Sequence, residues 1–198
     1  MKIHKILEKP AVYDLCQKIL SFIAAGNKGM GNFLRNEVGS QAGSVLEVGC
    51  GTGRFAGIFG ERYTGVDNNP KYIEYAKNKY PGRFLTVKAD QIEKLGEKFD
   101  YVLSICTLHH LTDEEVVSSV KKMVDLAQKK VYIIDPVYPT SRWNFLGRLL
   151  FSLDRGRYQR TLGGMIDLLE PMGFEVRREG LENSYPYQVC VFVGQARN

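Results

Sequence analysis

The chain has 198 residues, 44% hydrophobic and 25% charged, with a formal net charge of +5. This length supports one substantial core and is short for two. No apolar run spans a bilayer, and the scattered cysteines Cys16, Cys50, Cys106 and Cys190 form neither a zinc-ligand cluster nor a disulfide framework.

The early residues carry Glu8 and Asp14 among apolar positions and no signal-like block, so a cytoplasmic location is expected. The modest basic excess fits either weak attraction to an anionic partner or an ordinary solvated surface. In chain order, 11–25 shows an apolar helical face in Val12, Leu15, Cys16, Ile19 and Phe22. The glycine-rich run 26–32 is expected to break that helix, and 33–38 to form another short helical turn.

Beyond Gly43, short apolar runs alternate with helical patterns. Strands are expected over 44–48, 63–66, 84–88, 99–106 and 130–135, and helices over 54–59, 70–80, 91–95 and 113–128. This alternation predicts a mainly parallel sheet covered on both faces. Asn69-Pro70 reads as a cap followed by a proline in the first turn, and Thr112-Asp113-Glu114-Glu115 as a capping box. A connection over 136–160 is rich in aromatics, leucines and arginines. A helix over 162–169 follows, and strands over 174–178 and 189–195 are expected to be antiparallel neighbours, because the link between them is too short for a parallel crossover.

The most telling stretch is Val45-Leu46-Glu47-Val48-Gly49-Cys50-Gly51-Thr52-Gly53. Glycines at 49, 51 and 53 strip side chains from the point where a strand hands over to a helix, so a ligand can approach backbone N–H groups. The third glycine comes one residue early for the dinucleotide fingerprint. Asp67 ends the second strand, where a carboxylate can accept hydrogen bonds from both ribose hydroxyls.

These motifs resemble those of the class I S-adenosylmethionine-dependent methyltransferases. The resemblance is firm over 43–135 and looser over the last two strands. It implies an α/β fold, a Rossmann-like seven-stranded methyltransferase sheet that is mostly parallel with one antiparallel strand near the C-terminus and helices on both faces. It also implies a single domain over 1–198: an N-terminal helical cap (1–42), a cofactor-binding core (43–135), a substrate-side insert (136–160), and a C-terminal helix with the last two strands (161–198). For the cofactor S-adenosylmethionine it implies Glu47 ahead of Gly49, Gly51 and Gly53, Asp67 on the ribose, and Asn68 and Ile92 flanking the adenine. Asp90, followed by Gln91, meets the adenine amino group, and the backbone at Ser104–Cys106 lies at the amino-acid tail.

Methyl transfer from a sulfonium requires an aligned acceptor, and an oxygen nucleophile of high pKa also benefits from a base. His109 and His110 leave the end of the fourth strand and are the candidate bases, His109 slightly favoured. Alternatively, one or both only shape the pocket or cap the helix. Tyr138, Trp143, Arg155, Arg157 and Tyr158 are candidate acceptor-side residues, since aromatics beside arginines can clamp a part-apolar, part-anionic substrate. The stretch 142–153 also reads as an amphipathic segment able to touch a membrane or a lipid-like substrate, or to cover the core. No metal site is expected. A small-molecule acceptor leads, with oxygen slightly ahead of nitrogen or carbon. An RNA or protein methyltransferase and a non-catalytic S-adenosylmethionine-binding protein stay open as alternatives.

Overall fold

The computed structural model describes residues 9–15, 26–153, 156–177 and 188–196. Its elements run α1 (10–15), α2 (Gly26–Leu34), β1 (Val45–Val48), α3 (Ala56–Phe59), β2 (Tyr63–Asp67), α4 (Pro70–Lys79), β3 (Arg83–Thr86), β4 (Phe99–Ile105), α5 (Asp113–Leu126), β5 (Ala127–Val137), α6 (Phe145–Leu153), α7 (Leu162–Leu169), β6 (Phe174–Arg177) and β7 (Gln188–Gln195). The strands form one sheet in the order β3-β2-β1-β4-β5-β7-β6. Pairing is parallel from β3 to β5, and β7 lies antiparallel between β5 and β6. The order reverses at β1 and β4, which opens a crevice beyond their carboxyl ends.

Period-two alternation divides the core between the two faces. Leu46, Val131 and Ile133 pack with Val116, Val120 and Met123 of α5 and Met165 and Leu169 of α7. Their neighbours Val45, Tyr132 and Ile134 point the other way, into a cluster with Met30 and Leu34 of α2 and Ile73 and Ala76 of α4. Double burial is why β1 and the centre of β5 are continuous apolar runs apart from Glu47.

Helix starts follow the expected chemistry. The Asn69 side chain accepts from the Lys71 amide, with Pro70 in the first turn of α4. Thr112 and Glu115 form a reciprocal capping box on α5, and Thr161 caps α7. A side-chain cap is typically worth about 1 kcal/mol.

The glycine-rich 26–32 run is itself helical: it lies in α2, which continues through a π turn, Arg35–Gly39, while the junction with the helix expected over 11–25 falls on 16–25, outside the described residues. Burial of Met30, Leu34 and Val38 against the sheet outweighs the cost of glycine in a helix. The fifth strand is also longer than expected, starting directly at the end of α5 and running past Asp135 to Val137, where β7 still pairs with it. The apolar positions Cys16, Ile19 and Phe22 lie outside the described residues.

Candidate active site

The crevice holds a cavity of about 460 Å³, within the size range of small-ligand pockets. It is lined by Gly49, Gly51 and Asp67 of the glycine corner, by Asp90 and Ser119, and by Cys106, Thr107 and His110 after the fourth strand.

The glycine corner is built by exclusion. Gly49 has φ +78°, and a Cβ there would lie 2.3 Å from the Thr107 hydroxyl oxygen, so Thr107 occupies the space a side chain would need. Gly53, at φ +75°, packs on Phe84 and Ala76. Gly51, at φ +53°, faces open space; the nearest atom to a Cβ there would be Tyr13 Cε1 at 3.7 Å. Its N–H donates to Asp67 Oδ2 at 2.9 Å, while the Asn69 N–H donates to Oδ1 at 2.8 Å. Asp67 is therefore fixed at the cavity wall by two backbone donors. Asn68 lines the same wall.

Of the sequence-predicted positions, Gly49, Gly51, Asp67, Asn68, Asp90, Cys106 and His110 line the cavity. Glu47, Gly53, Gln91, Ile92, Ser104 and His109 are not among its lining residues. Ile92 is fully buried in the core beside α5 rather than stacked at the cavity wall, because the 3-10 segment Ala89–Leu95 turns its side chain inward. Ser104 lies inside β4 with a buried hydroxyl that has no hydrogen-bond partner.

Glu47 shares the strand face of Val45 and is 2% exposed. Tyr63 donates its hydroxyl to Glu47 Oε2 at 2.6 Å. Burial pushes the carboxyl up to about 8, opposed by the Tyr63 hydrogen bond and reinforced by the charge of Asp67. The Cys50 thiol beside it is likewise pushed up by burial, then by Glu47.

The histidine pair divides by position. β4 ends at Ile105; Cys106, a non-glycine residue at φ +52°, comes next, and a 3-10 turn, Leu108–His110, follows. His109 is buried: its amide donates to Asp135 Oδ2 at 2.9 Å, and its Nδ1 lies 2.8 Å from Asp135 Oδ1. A carboxylate there assigns the ring proton to Nδ1 and leaves Nε2 as the acceptor of the neutral ring. His110 is exposed at the cavity, its ring centroid 4.2 Å from that of His109. Asp135 is thus a buried anchor for the turn.

The returning insert clamps the same turn. The Tyr158 amide donates to the His109 carbonyl, and Arg160 donates to the carbonyls of Leu108, Leu111 and Tyr158 and to Asp113. Tyr138 packs edge-on to Phe151, whereas Trp143, Arg157 and Tyr158 face solvent. Arg155 lies outside the described residues.

Sequence reasoning missed Tyr13, Tyr72, Thr107, Glu115 and Ser119 as cavity-lining residues. Tyr13 stacks on Tyr72, ring centroids 5.0 Å apart, and this pairing between distant segments leaves no local signal. Ser119 lies on α5; its buried hydroxyl has no hydrogen-bond partner among the described residues, and the residue lines the cavity.

A family model described as a methyltransferase domain matches residues 45–130. An uncharacterized methyltransferase of Bacillus velezensis is 31% identical over 171 residues, 78% of this chain and 80% of that protein. The chain belongs to the class I S-adenosylmethionine-dependent methyltransferases. A second relative, an uncharacterized methyltransferase of Bacillus cytotoxicus, is 29% identical over 158 residues, 77% of this chain, and the match covers 66% of that protein's length.

Solved methyltransferases share the fold. The magnesium protoporphyrin IX methyltransferase of Synechocystis PCC 6803, with bound S-adenosylhomocysteine, aligns with TM-score 0.70 and 18% identity over 98% of this chain and 99% of that one. The plantazolicin methyltransferase, in complex with a substrate analogue and S-adenosylhomocysteine, gives TM-score 0.67 and 15% identity over 99% and 100%.

The methyltransferase cavity fits its cofactor, S-adenosylmethionine. The bare Gly51 corner admits close approach, and Asp67, Asp90 and Glu115 outnumber the one lining lysine, Lys88. That balance suits a cation bearing hydroxyls and does not suit a pyrophosphate. Among the described residues no helix is long and apolar enough to cross a membrane.

Proposed function

We propose that this methyltransferase transfers a methyl group to a small-molecule acceptor, with an oxygen nucleophile favoured and His110 as the base. S-adenosylmethionine supplies an electrophilic methyl group when bound. Gly49, Gly51, Asp67, Asn68 and Asp90 are the residues that would hold it. The observation that carries the reading is that His110 and the Gly51–Asp67 corner line one and the same cavity of about 460 Å³. A base on the wall of so small a volume suits an acceptor, or a single reactive arm of one, that enters the crevice.

His110 would accept the acceptor's proton, and the His109–Asp135 pair would hold the turn that carries it. The solved relatives named above carry different acceptors in their names, magnesium protoporphyrin IX in one and plantazolicin in the other, so the acceptor must be read from the site. The bonds of Tyr158 and Arg160 to the histidine turn support a fixed position for His110 at the cavity.

Calorimetry with S-adenosylhomocysteine, followed by transfer of labelled methyl from S-adenosylmethionine to phenolic, carboxylic and amine acceptors, tests this reading. Saturable cofactor binding and labelling of a hydroxyl or carboxyl compound are expected, with His110→Gln lowering turnover roughly 10²-fold or more at nearly unchanged cofactor affinity. Exclusive labelling of nucleic acid or protein, or full activity of the variant, refutes the proposal.

A further inference from the structure

Among the described residues, six of the seven large apolar or aromatic side chains that face solvent fall within 143–162: Trp143, Phe145, Leu146, Leu149, Tyr158 and Leu162. The densest part is α6 and the residue pair before it. Trp143 is 71% exposed, Phe145 67% and Leu149 55%. At helical spacing Phe145, Leu146 and Leu149 share one outward face, while Gly147 and Phe151 turn inward and Phe151 packs on Tyr138. An apolar cluster of this kind on an otherwise polar surface marks a contact site.

The charge around it selects the partner. Arg142 lies over the Trp143 ring and Arg148 over the Tyr138 ring, both guanidinium groups being exposed. No aspartate or glutamate occurs between Pro136 and Leu153. Aromatic and leucine side chains on one face, rimmed by arginines and free of acids, match an interface helix whose apolar side enters the acyl boundary while its cations meet lipid phosphates. We propose that the 142–149 face docks this protein on an anionic phospholipid bilayer.

The surface was not needed to build the catalytic cavity, so the inference stands apart from the choice of acceptor. It does bear on delivery: α6 belongs to the insert whose returning end bonds to His109 through Tyr158, so docking would place the histidine side of the cavity near the membrane.

Trp143 is the single tryptophan of the chain, which makes the protein its own reporter. The test is a titration of the full chain with phosphatidylcholine vesicles with or without phosphatidylglycerol, following tryptophan emission and co-sedimentation. A blue shift and sedimentation with the anionic vesicles are expected. Partitioning onto phosphatidylcholine alone should be roughly tenfold weaker, and high salt should reverse much of the anionic binding.

Phe145→Ser/Leu149→Ser keeps the reporter and should lose vesicle binding while still binding S-adenosylhomocysteine, which shows that it is folded. An unshifted emission spectrum with anionic vesicles overturns the proposal. So does retained vesicle binding in the folded double variant, or a blue shift without lipid accompanied by a doubled mass in sedimentation velocity, which would make a second copy the occupant.

Discussion

Glu47 makes the sharpest test of how this sheet is built. Its carboxyl lies inside β1, bonded to the Tyr63 hydroxyl, and burial lifts it from 4.5 to about 8. Below about pH 4.5 the group is protonated in both the folded and the unfolded chain. Between 4.5 and about 8 the unfolded chain ionises and the folded one does not, so the folded state holds more protons and stability falls as pH rises. At about 1.4 kcal/mol per pH unit, the full displacement amounts to roughly 5 kcal/mol lost by the time pH passes 8.

Glu47→Gln keeps an oxygen for Tyr63 and cannot ionise. Urea denaturation of both proteins at pH 5, 6, 7 and 8, compared as the difference between them, removes the contribution of every other titrating group. The variant should gain on the natural protein steadily with pH, by several kcal/mol between the extremes. A difference that stays flat across this window would show that Glu47 is ionised within the fold, and the account of it as a neutral core acid would fail.

The remaining predictions concern the crevice. Gly51→Ala meets no near neighbour but sits at φ +53°, so it should lose about 1–2 kcal/mol of stability and still lower S-adenosylhomocysteine affinity at least tenfold by calorimetry. Gly53→Ala places a Cβ 2.8 Å from Phe84 and 3.0 Å from Ala76, and its main effect should be a lowered Tm. His109→Gln should reduce both stability and turnover, because it breaks a buried bond to Asp135, whereas His110→Gln should leave Tm within a degree or two; equal thermal effects would contradict the division between them. Arg160→Met removes donors from three carbonyls and from Asp113, and should cost roughly 2 kcal/mol by denaturant melt with a larger proportional loss in turnover than in cofactor affinity.

How much was legible in the residues follows from the range of the interactions. Strand periodicity, the Asn69-Pro70 start, the Thr112–Glu115 box and the glycine corner are written within a few neighbouring positions, and each appears in the structure where the pattern places it. Asp67 was readable because it ends an apolar run. Glu47 was not, because the partner that decides its state is Tyr63, sixteen residues away and on the next strand. The same holds for Tyr13 on Tyr72, and for the pairing of Asp135, an acid readable as the end of strand five, with His109 26 residues away. The helix over α2 was hidden for a related reason: glycine content argues locally against it, and only the sheet surface that Met30 and Leu34 cover supplies the opposing term.

The acceptor half of the crevice is held together differently from the cofactor half. At the glycine corner the geometry is backbone shape: Gly49 is bare because Thr107 fills the space, and Asp67 is set by amides next to it in the fold. At the histidine turn the geometry is set by three long-range ties, from Asp135 in β5, from the Tyr158 amide and from the Arg160 guanidinium. The last two belong to an insert whose ends are joined, since the Tyr138 amide donates to the Arg160 carbonyl at 2.7 Å. The excursion from β5 is therefore a closed loop with the exposed Trp143–Leu149 face outside and the His109–His110 turn at its base. A force or contact on that face reaches the turn through covalent chain and three hydrogen-bonded carbonyls, and passes from there to the glycine corner through Thr107, which touches Gly49. Sequence change in the insert therefore acts first on the acceptor side.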